Sequence, residues 1–192
     1  MKLQIITQFL MMFAYLLPQA TRDLLTSGDI RVQDSTVYVR KQISAGNVTK
    51  LVDGNTRKLV GITNIDGNKL EDQRNQLISA ISIKYGTHAS ITDAGSIDYL
   101  STDIPAALRN AELVIRQGNR TAVSLPISSL IAGKNASPSN VEADRFQLLV
   151  MALIVEAQPF TVDLEFPEGA DFGANNHFVE VNFYGAETSK KA

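Results

Sequence analysis

The sequence of 192 residues contains no cysteine and no tryptophan, and it contains only two histidines. The absence of cysteine excludes disulfide frameworks, thiolate metal sites and cysteine nucleophiles. The two histidines, His88 and His177, stand far apart in the sequence. A metal-dependent enzyme built on a β-sandwich requires a cluster of histidines with an acidic ligand. We therefore predict that the chain binds no metal or other cofactor, and that both histidines occupy loops or the surface.

The sequence also lacks an excess of charge of either sign. The chain has 18 basic and 20 acidic residues, and its formal net charge is −2. Nucleic-acid binding requires a strongly basic surface, and the basic residues form no cluster longer than a pair such as Lys190-Lys191. The sequence therefore predicts no specific nucleic-acid partner. The hydrophobic fraction of 44% is sufficient for a sizeable core, and the length suits one domain with an arm.

The motifs of common enzymes are missing as well. The sequence contains neither the Gly-x-Ser-x-Gly motif of serine hydrolases nor the Gly-x-x-x-x-Gly-Lys-Ser/Thr motif of phosphate loops. Asp163 and Glu165 are a pair of carboxylates, the residue type that glycoside hydrolysis uses. The alternation around them predicts an ordinary exposed strand face instead. We therefore predict no catalytic residue and a protein that is not an enzyme.

A long apolar run is present at the N-terminus, over residues 3–17. Its apolar side chains recur at steps of three and four, which is the spacing of one helix face. This stripe consists of Ile5, Phe9, Met12, Phe13 and Leu16. Pro18 then ends or kinks the helix. A secretory signal cleaved after Ala20 is an alternative, but polar residues interrupt the run, and Pro18 occupies a position where such signals carry a small residue.

The stripe has two interpretations. It can cap the core of its own domain, or it can dock on a neighbouring subunit or on a membrane surface. The run is shorter than the 20 or so apolar residues of a transmembrane helix. On the second interpretation the stripe residues are interaction residues. The chain then divides into a helical arm over residues 1–28, a β domain over residues 29–186 and a polar tail over residues 187–192.

From residue 29 onward the apolar residues alternate, as in β-strands. Strands are predicted over residues 29–43, 48–52, 58–65, 76–85, 113–116, 120–125, 160–166 and 178–184. Asp-Gly-Asn and Gln-Gly-Asn sequences supply tight turns between several of them. Residues 145–155 are nearly all apolar, and this run fits a buried helix and a buried strand equally well. The sequence shows no βαβ rhythm. We therefore predict a mainly β fold, a single eight-stranded jelly roll (an antiparallel β-sandwich) with an N-terminal amphipathic helix.

Three stretches resemble the jelly-roll capsid proteins of tailless icosahedral bacteriophages. These stretches are "GITNIDGNKLEDQRNQLISAISIKYG", "NAELVIRQGNRTAVSLPISSLIAG" and "IVEAQPFTVDLEFPEGADFGANNHFVEVNFYGAE". The resemblance lies in a short hairpin followed by a Leu-Pro element, and in a late "PFTVDLEFP" strand that precedes a loop and a last strand ending in glycine. It covers residues 56–186.

The resemblance implies a structural protein of the virion, either a small major capsid protein or a vertex (penton) protein. It implies self-association into trimers or pentamers and contacts with other capsid proteins. Many such virions contain an internal membrane, which the N-terminal helix would contact. The main alternative is a carbohydrate-binding jelly roll at a cell or virion surface, with Tyr99 and Tyr184 as its aromatic residues. An enzyme using His88 and His177 is the second alternative.

Overall fold

The computed structural model describes residues 2–44, 46–100, 102–131 and 144–190, without the side chains of residues 2–5 and 7. Its helices are α1 (Lys2–Met12), α2 (Gln19–Ser27), α3 (Ala106–Arg109) and α4 (Ile127–Leu130), with 3-10 turns at Ala14–Leu16 and Ala94–Ser96. Its strands are β1 (Ile30–Ile43), β2 (Val48–Val52), β3 (Gln76–His88), β4 (Glu112–Gln117), β5 (Arg120–Pro126), β6 (Phe146–Ile154), β7 (Phe160–Glu165) and β8 (Asn176–Lys190).

The strands form two antiparallel four-stranded sheets. The first sheet has the order β1-β8-β3-β6, and the second sheet has the order β2-β7-β4-β5. Strand β1 pairs with β8, β2 with β7, β3 with β6 and β4 with β5. The predicted mainly β sandwich with an N-terminal helix is therefore confirmed. Its strand pairing is compatible with the predicted jelly roll.

The core lies between the two sheets and is built from the alternating apolar residues of the strands. Strand β8 contributes Val179, Val181 and Phe183 to it, and β7 contributes Val162 and Leu164. Each of these residues is separated from the next by one side chain that faces outward, as the period of two predicts. The β4–β5 hairpin closes where the sequence predicts, with Gly118 at a positive φ of 57°. Glycine adopts this conformation without steric cost.

The arm, formed by α1, the following 3-10 turn and α2, packs on the outer face of the first sheet. Leu10, Leu17 and Leu25 of the arm are buried in one cluster with Leu77 of β3 and Leu153 of β6. Helix α2 ends at Gly28, which adopts the left-handed conformation typical of a helix C-terminus. The arm is thus held by the domain that follows it in the sequence.

A buried carboxylate fixes α2 to the sheet. Glu156 follows β6 and is buried, and it accepts hydrogen bonds from the Thr21 hydroxyl and from the Gln73 backbone N–H. The Glu156 N–H donates to the side chain of Asn75 over 3.0 Å. Glu156 therefore joins α2 of the arm to the β2–β3 and β6–β7 connections of the domain.

Three segments differ from the sequence predictions. Residues 58–65 form turns and isolated bridges rather than a strand, because Gly61 has a positive φ of 87° that reverses the chain. Residues 146–154 are strand β6, which resolves the choice between helix and strand. Strand β8 continues to Lys190 and pairs with Ile30. Residues 187–190 therefore belong to the sandwich and not to a polar tail, because the length of β1 provides partners for them.

Replacing Thr21 by valine tests the contact between the arm and the sheet. Thr21→Val keeps the shape of the side chain but removes one of the hydrogen bonds to a buried carboxylate. We expect a loss of about 1–3 kcal/mol in the free energy of unfolding, the usual cost of an unsatisfied buried polar group. Urea denaturation measures it. The matched control is Thr26→Val at an exposed position of the same helix, where a change within about 0.5 kcal/mol is expected. Equal losses in both variants would contradict the assignment.

Candidate functional site

Among the described residues, no further strand pairs with the outer edge of β5 or of β6. Each of these strands is the last strand of its sheet, so each has a sheet partner on one side only. We call the surface formed by residues 122–125 and 146–150 the β5–β6 edge. An uncovered sheet edge presents unpaired backbone groups, and natural proteins usually protect it.

Strand β1, at the opposite end of the first sheet, shows such protection. The Arg40 N–H donates to the Ile62 carbonyl over 2.8 Å, and the Tyr38 N–H donates to the Asn64 side chain over 3.0 Å. The turns at residues 61–64 therefore cover the outer edge of β1. Within the described parts of the chain, no segment covers the outer edge of β6 in this way.

A large bulge in β6 turns apolar side chains toward solvent. Ile78 pairs with Ala152 and Ala80 pairs with Gln147, so residues 148–151 stand opposite Ser79 alone. Bulges bend a strand and redirect its side chains. Here Leu149 is fully exposed, and Val150 is 68% exposed. Two large apolar side chains therefore project from the unpaired bulge of β6.

A shallow groove of about 270 Å³ lies beside these projecting side chains. Strand β5 contributes Ala122 and Leu125 to its lining, and β6 contributes Phe146 and Leu148. None of the residues that line the groove carries a charge. Contiguous apolar surface of this kind is typical of a site that another protein covers. The β5–β6 edge is therefore the candidate interaction surface.

The predicted interaction stripe divides between two environments. Phe9, Phe13 and Leu16 are partly buried against the arm's own sheet, whereas Met12 is 72% exposed, near the equally exposed Tyr15. The side chain of Ile5 lies outside the described residues. Phe9 and Met12 are three residues apart on α1, so they lie about 60° apart around the helix, and only Phe9 faces the sheet. A contact between Met12 and a partner remains a prediction.

None of the helices in the described residues is long and apolar enough to cross a membrane.

His177 is not the surface residue that the sequence predicts. It begins the core-facing side of β8, its ring is buried, and its Nδ1 shares a hydrogen bond with the Tyr85 hydroxyl. The ring of Phe172, from the loop before β8, lies 5.3 Å away. His88 is exposed, as predicted, and its Nδ1 accepts backbone N–H groups from Ser90 and Ile91. Among the described residues, no group of three histidine, aspartate or glutamate side chains could hold a metal ion.

Of the two carboxylates predicted on an exposed strand face, Asp163 is buried and Glu165 is partly exposed. Asp163 is 7% exposed, because Arg116 on the adjacent strand β4 extends across it. The Arg116 guanidinium lies 3.3 Å from Asp163 Oδ2 and 2.6 Å from Glu165 Oε1. The Thr161 hydroxyl donates a further hydrogen bond to Asp163 over 3.1 Å. One arginine therefore forms ion pairs with both acids and bridges two strands.

The two tyrosines proposed for sugar binding are each covered by an arginine. The Arg40 guanidinium lies 5.1 Å from the ring centre of Tyr99, and the Arg145 guanidinium lies 3.8 Å from that of Tyr184. Burial raises the pKa of Tyr99 to about 12, despite the nearby charge of Arg40, and its hydroxyl donates to the Ala94 carbonyl. A sugar would have to displace the arginine to stack on the same ring face. This geometry gives the carbohydrate-binding alternative no support.

The chain matches no protein-family model. The curated proteins likewise include no significant match to it.

The buried histidine makes stability depend on pH. Burial lowers the pKa of His177, partly opposed by the nearby Asp171, so the folded protein holds the ring neutral while the unfolded chain takes up a proton near pH 6.5. The stability that the neutral His177 ring contributes is therefore complete above about pH 6.5. As the pH falls toward the folded pKa, the free energy of unfolding decreases by up to about 1.4 kcal/mol per pH unit. Urea denaturation at pH 7.5, 6.5 and 5.5 measures this loss. It should disappear in His177→Gln and persist in His88→Gln, and a loss that persists in His177→Gln would assign it to other groups.

Proposed function

We propose that the chain is a structural subunit that functions by packing against copies of itself, as a capsid protein of the tailless-bacteriophage type. In this proposal it resides in the virion as a small major capsid or vertex protein. The observation that carries the proposal is the β5–β6 edge, where Leu149 and Val150 project from the bulge of β6 and form part of an uncharged groove. The resemblance of residues 56–186 to such capsid proteins and the eight-stranded sandwich support it.

The energetics favour a covered edge. Burying a leucine side chain contributes about 1.5–3 kcal/mol relative to leaving it in water. A lone monomer would forgo this contribution and would also present an edge that is prone to pairing. In a shell the same edge is covered in every subunit, so that the gain is repeated throughout the particle.

A second copy of the chain suits this surface better than the chain's own connection does. Residues 132–143, which join α4 to β6, have the sequence AGKNASPSNVEA and contain one large apolar residue, Val141. Such a segment offers little apolar area with which to cover the edge. The edge itself carries both a projecting leucine and an uncharged groove. Two copies related by a two-fold axis would each place Leu149 in the groove of the other.

Two-fold contacts alone give dimers, so a closed shell requires at least one further contact that builds the trimers or pentamers. The exposed side of the arm, with Met11, Met12 and Tyr15, is the surface that we propose for other capsid proteins or an internal membrane. These three apolar side chains are more than half exposed.

Replacing Leu149 by aspartate tests the β5–β6 edge. Because a two-fold axis removes the leucine twice, we expect Leu149→Asp to raise the dissociation constant of the copy-to-copy contact by about 100-fold or more. Size-exclusion chromatography with light scattering measures it. The matched control is Val60→Asp, at an apolar position that is 92% exposed in a turn remote from the edge. A monomeric wild-type protein at high concentration, or equal effects of both substitutions, would overturn the proposal.

Cysteine cross-linking tests the geometry of the contact, because the natural chain has no cysteine to interfere. A single cysteine at position 149 lies near its own symmetry mate in the two-fold arrangement. Leu149→Cys should therefore form a disulfide-linked dimer under mild oxidation, while Val60→Cys should remain monomeric on non-reducing gels. Self-association without cross-linking at position 149 would place the interface elsewhere.

A further inference from the structure

A cleft of about 480 Å³ lies on the outer face of the first sheet, beside the arm. This volume is within the range of small-molecule sites, about 300–1,000 Å³. The cleft crosses all four strands of the sheet, from Asp34 on β1 to Arg145 just before β6. It shares no lining residue with the groove of the β5–β6 edge.

The floor of the cleft is made of short side chains at a distortion of the sheet. Ile78 pairs with Gly185 and Ala80 pairs with Tyr184, so Ser79 has no partner in β8. A Cβ atom on Gly185 would overlap the carbonyl oxygen of Leu77, so only glycine allows the two strands to approach this closely. With Ser79, Ala80, Gly185 and Ala186 together, the sheet surface is recessed at this point.

Arg145 supplies a positioned cation at one end of the cleft. Its guanidinium is stacked 3.8 Å from the ring centre of Tyr184, which fixes the plane of its N–H groups. The Arg145 Nε is buried and has no hydrogen-bond acceptor among the described residues. A buried donor of a charged group is costly without an acceptor. The planar guanidinium favours carboxylate oxygens, which can accept two of its hydrogen bonds at once.

The wall next to the arm is apolar. Ile6 of α1, Leu77 of β3 and Met151 of β6 line it. A ligand that satisfies both ends therefore combines an anionic head group with a hydrocarbon chain. Among the described residues that line the cleft, Arg145 is the one cation and Asp34 is an acid, so that a monoanion fits the electrostatics better than a phosphate dianion does. We propose that this cleft binds an aliphatic monocarboxylate of medium chain length, with its carboxylate on Arg145 and its chain along the arm.

Titration calorimetry of the full chain with decanoate, below the concentration at which decanoate forms micelles, tests the proposal. We expect saturable binding, much weaker binding of 1-decanol, and no binding of acetate. Arg145→Met should weaken decanoate binding by roughly tenfold or more, the size expected of a lost charge-assisted hydrogen bond. The matched control is Arg31→Met, an exposed arginine on β1 outside the cleft lining, which should bind as the wild type does.

Methyl NMR of the methionines tests the proposal on the wild-type protein, so that no variant has to fold. The chain has four methionines. Of the three methionines that the structure describes, Met151 lines the cleft, whereas Met11 and Met12 are exposed on the arm. Decanoate should shift the Met151 methyl signal and leave those of Met11 and Met12 in place. Shifts confined to Met11 and Met12, equal affinity for 1-decanol and decanoate, unchanged binding in Arg145→Met or no saturable binding would each overturn the proposal.

Discussion

The pairing of the first strand with the last is the constraint on which the rest of the structure depends. Strands β1 and β8 are in register from Ile30 opposite Lys190 to Ile43 opposite His177. This pairing closes a loop of nearly the whole domain, which is entropically costly and becomes favourable only when the strands between are also placed. The inner strands then pair as β2 with β7, β3 with β6 and β4 with β5. The pairs β1–β8 and β3–β6 lie in one sheet, and the pairs β2–β7 and β4–β5 lie in the other. The arm docks on the face that this closure creates.

Strand β8 is also buried on its outward-facing side, which requires that its polar residues find partners. Glu180 lies 2.6 Å from the Arg40 guanidinium and 3.7 Å from the Lys84 ammonium, and it accepts a 2.9 Å hydrogen bond from Asn182. Burial alone would raise the pKa of Glu180, but the hydrogen bonds from Asn182 and Arg40 and the two positive charges outweigh it, so that its pKa is lowered. The charged pairs therefore stabilise the central strand and make it specific for its neighbours.

A closed sandwich still has sheet edges, and the two edges of the first sheet differ in how they are covered. Residues 61–64 cover the edge of β1 with backbone and side-chain hydrogen bonds. At the other end of the same sheet, β6 bulges and presents Leu149 and Val150 to solvent. A sheet with one protected edge and one exposed apolar edge can pair with a neighbouring subunit through the apolar edge only. This contrast, more than the amount of apolar surface, motivates the proposal of self-association.

The sequence by itself determined the strand periods and the β4–β5 hairpin, because these depend on neighbours two to four residues apart. On the arm it predicted an apolar helix, but not which of its side chains are buried. It predicted which residues of β7 and β8 face the core. It did not predict that Asp163 and His177 are buried, since Arg116 and Tyr85, which contact them, are distant in the sequence. The alternation of polar and apolar residues indicates which face a side chain occupies, but not what covers that face. The bulge that exposes Leu149 was equally hidden, because residues 145–155 are nearly all apolar and only the register against β3 decides which of them project. These features were decided by the tertiary structure, in which contacts between distant segments set the environment of each residue.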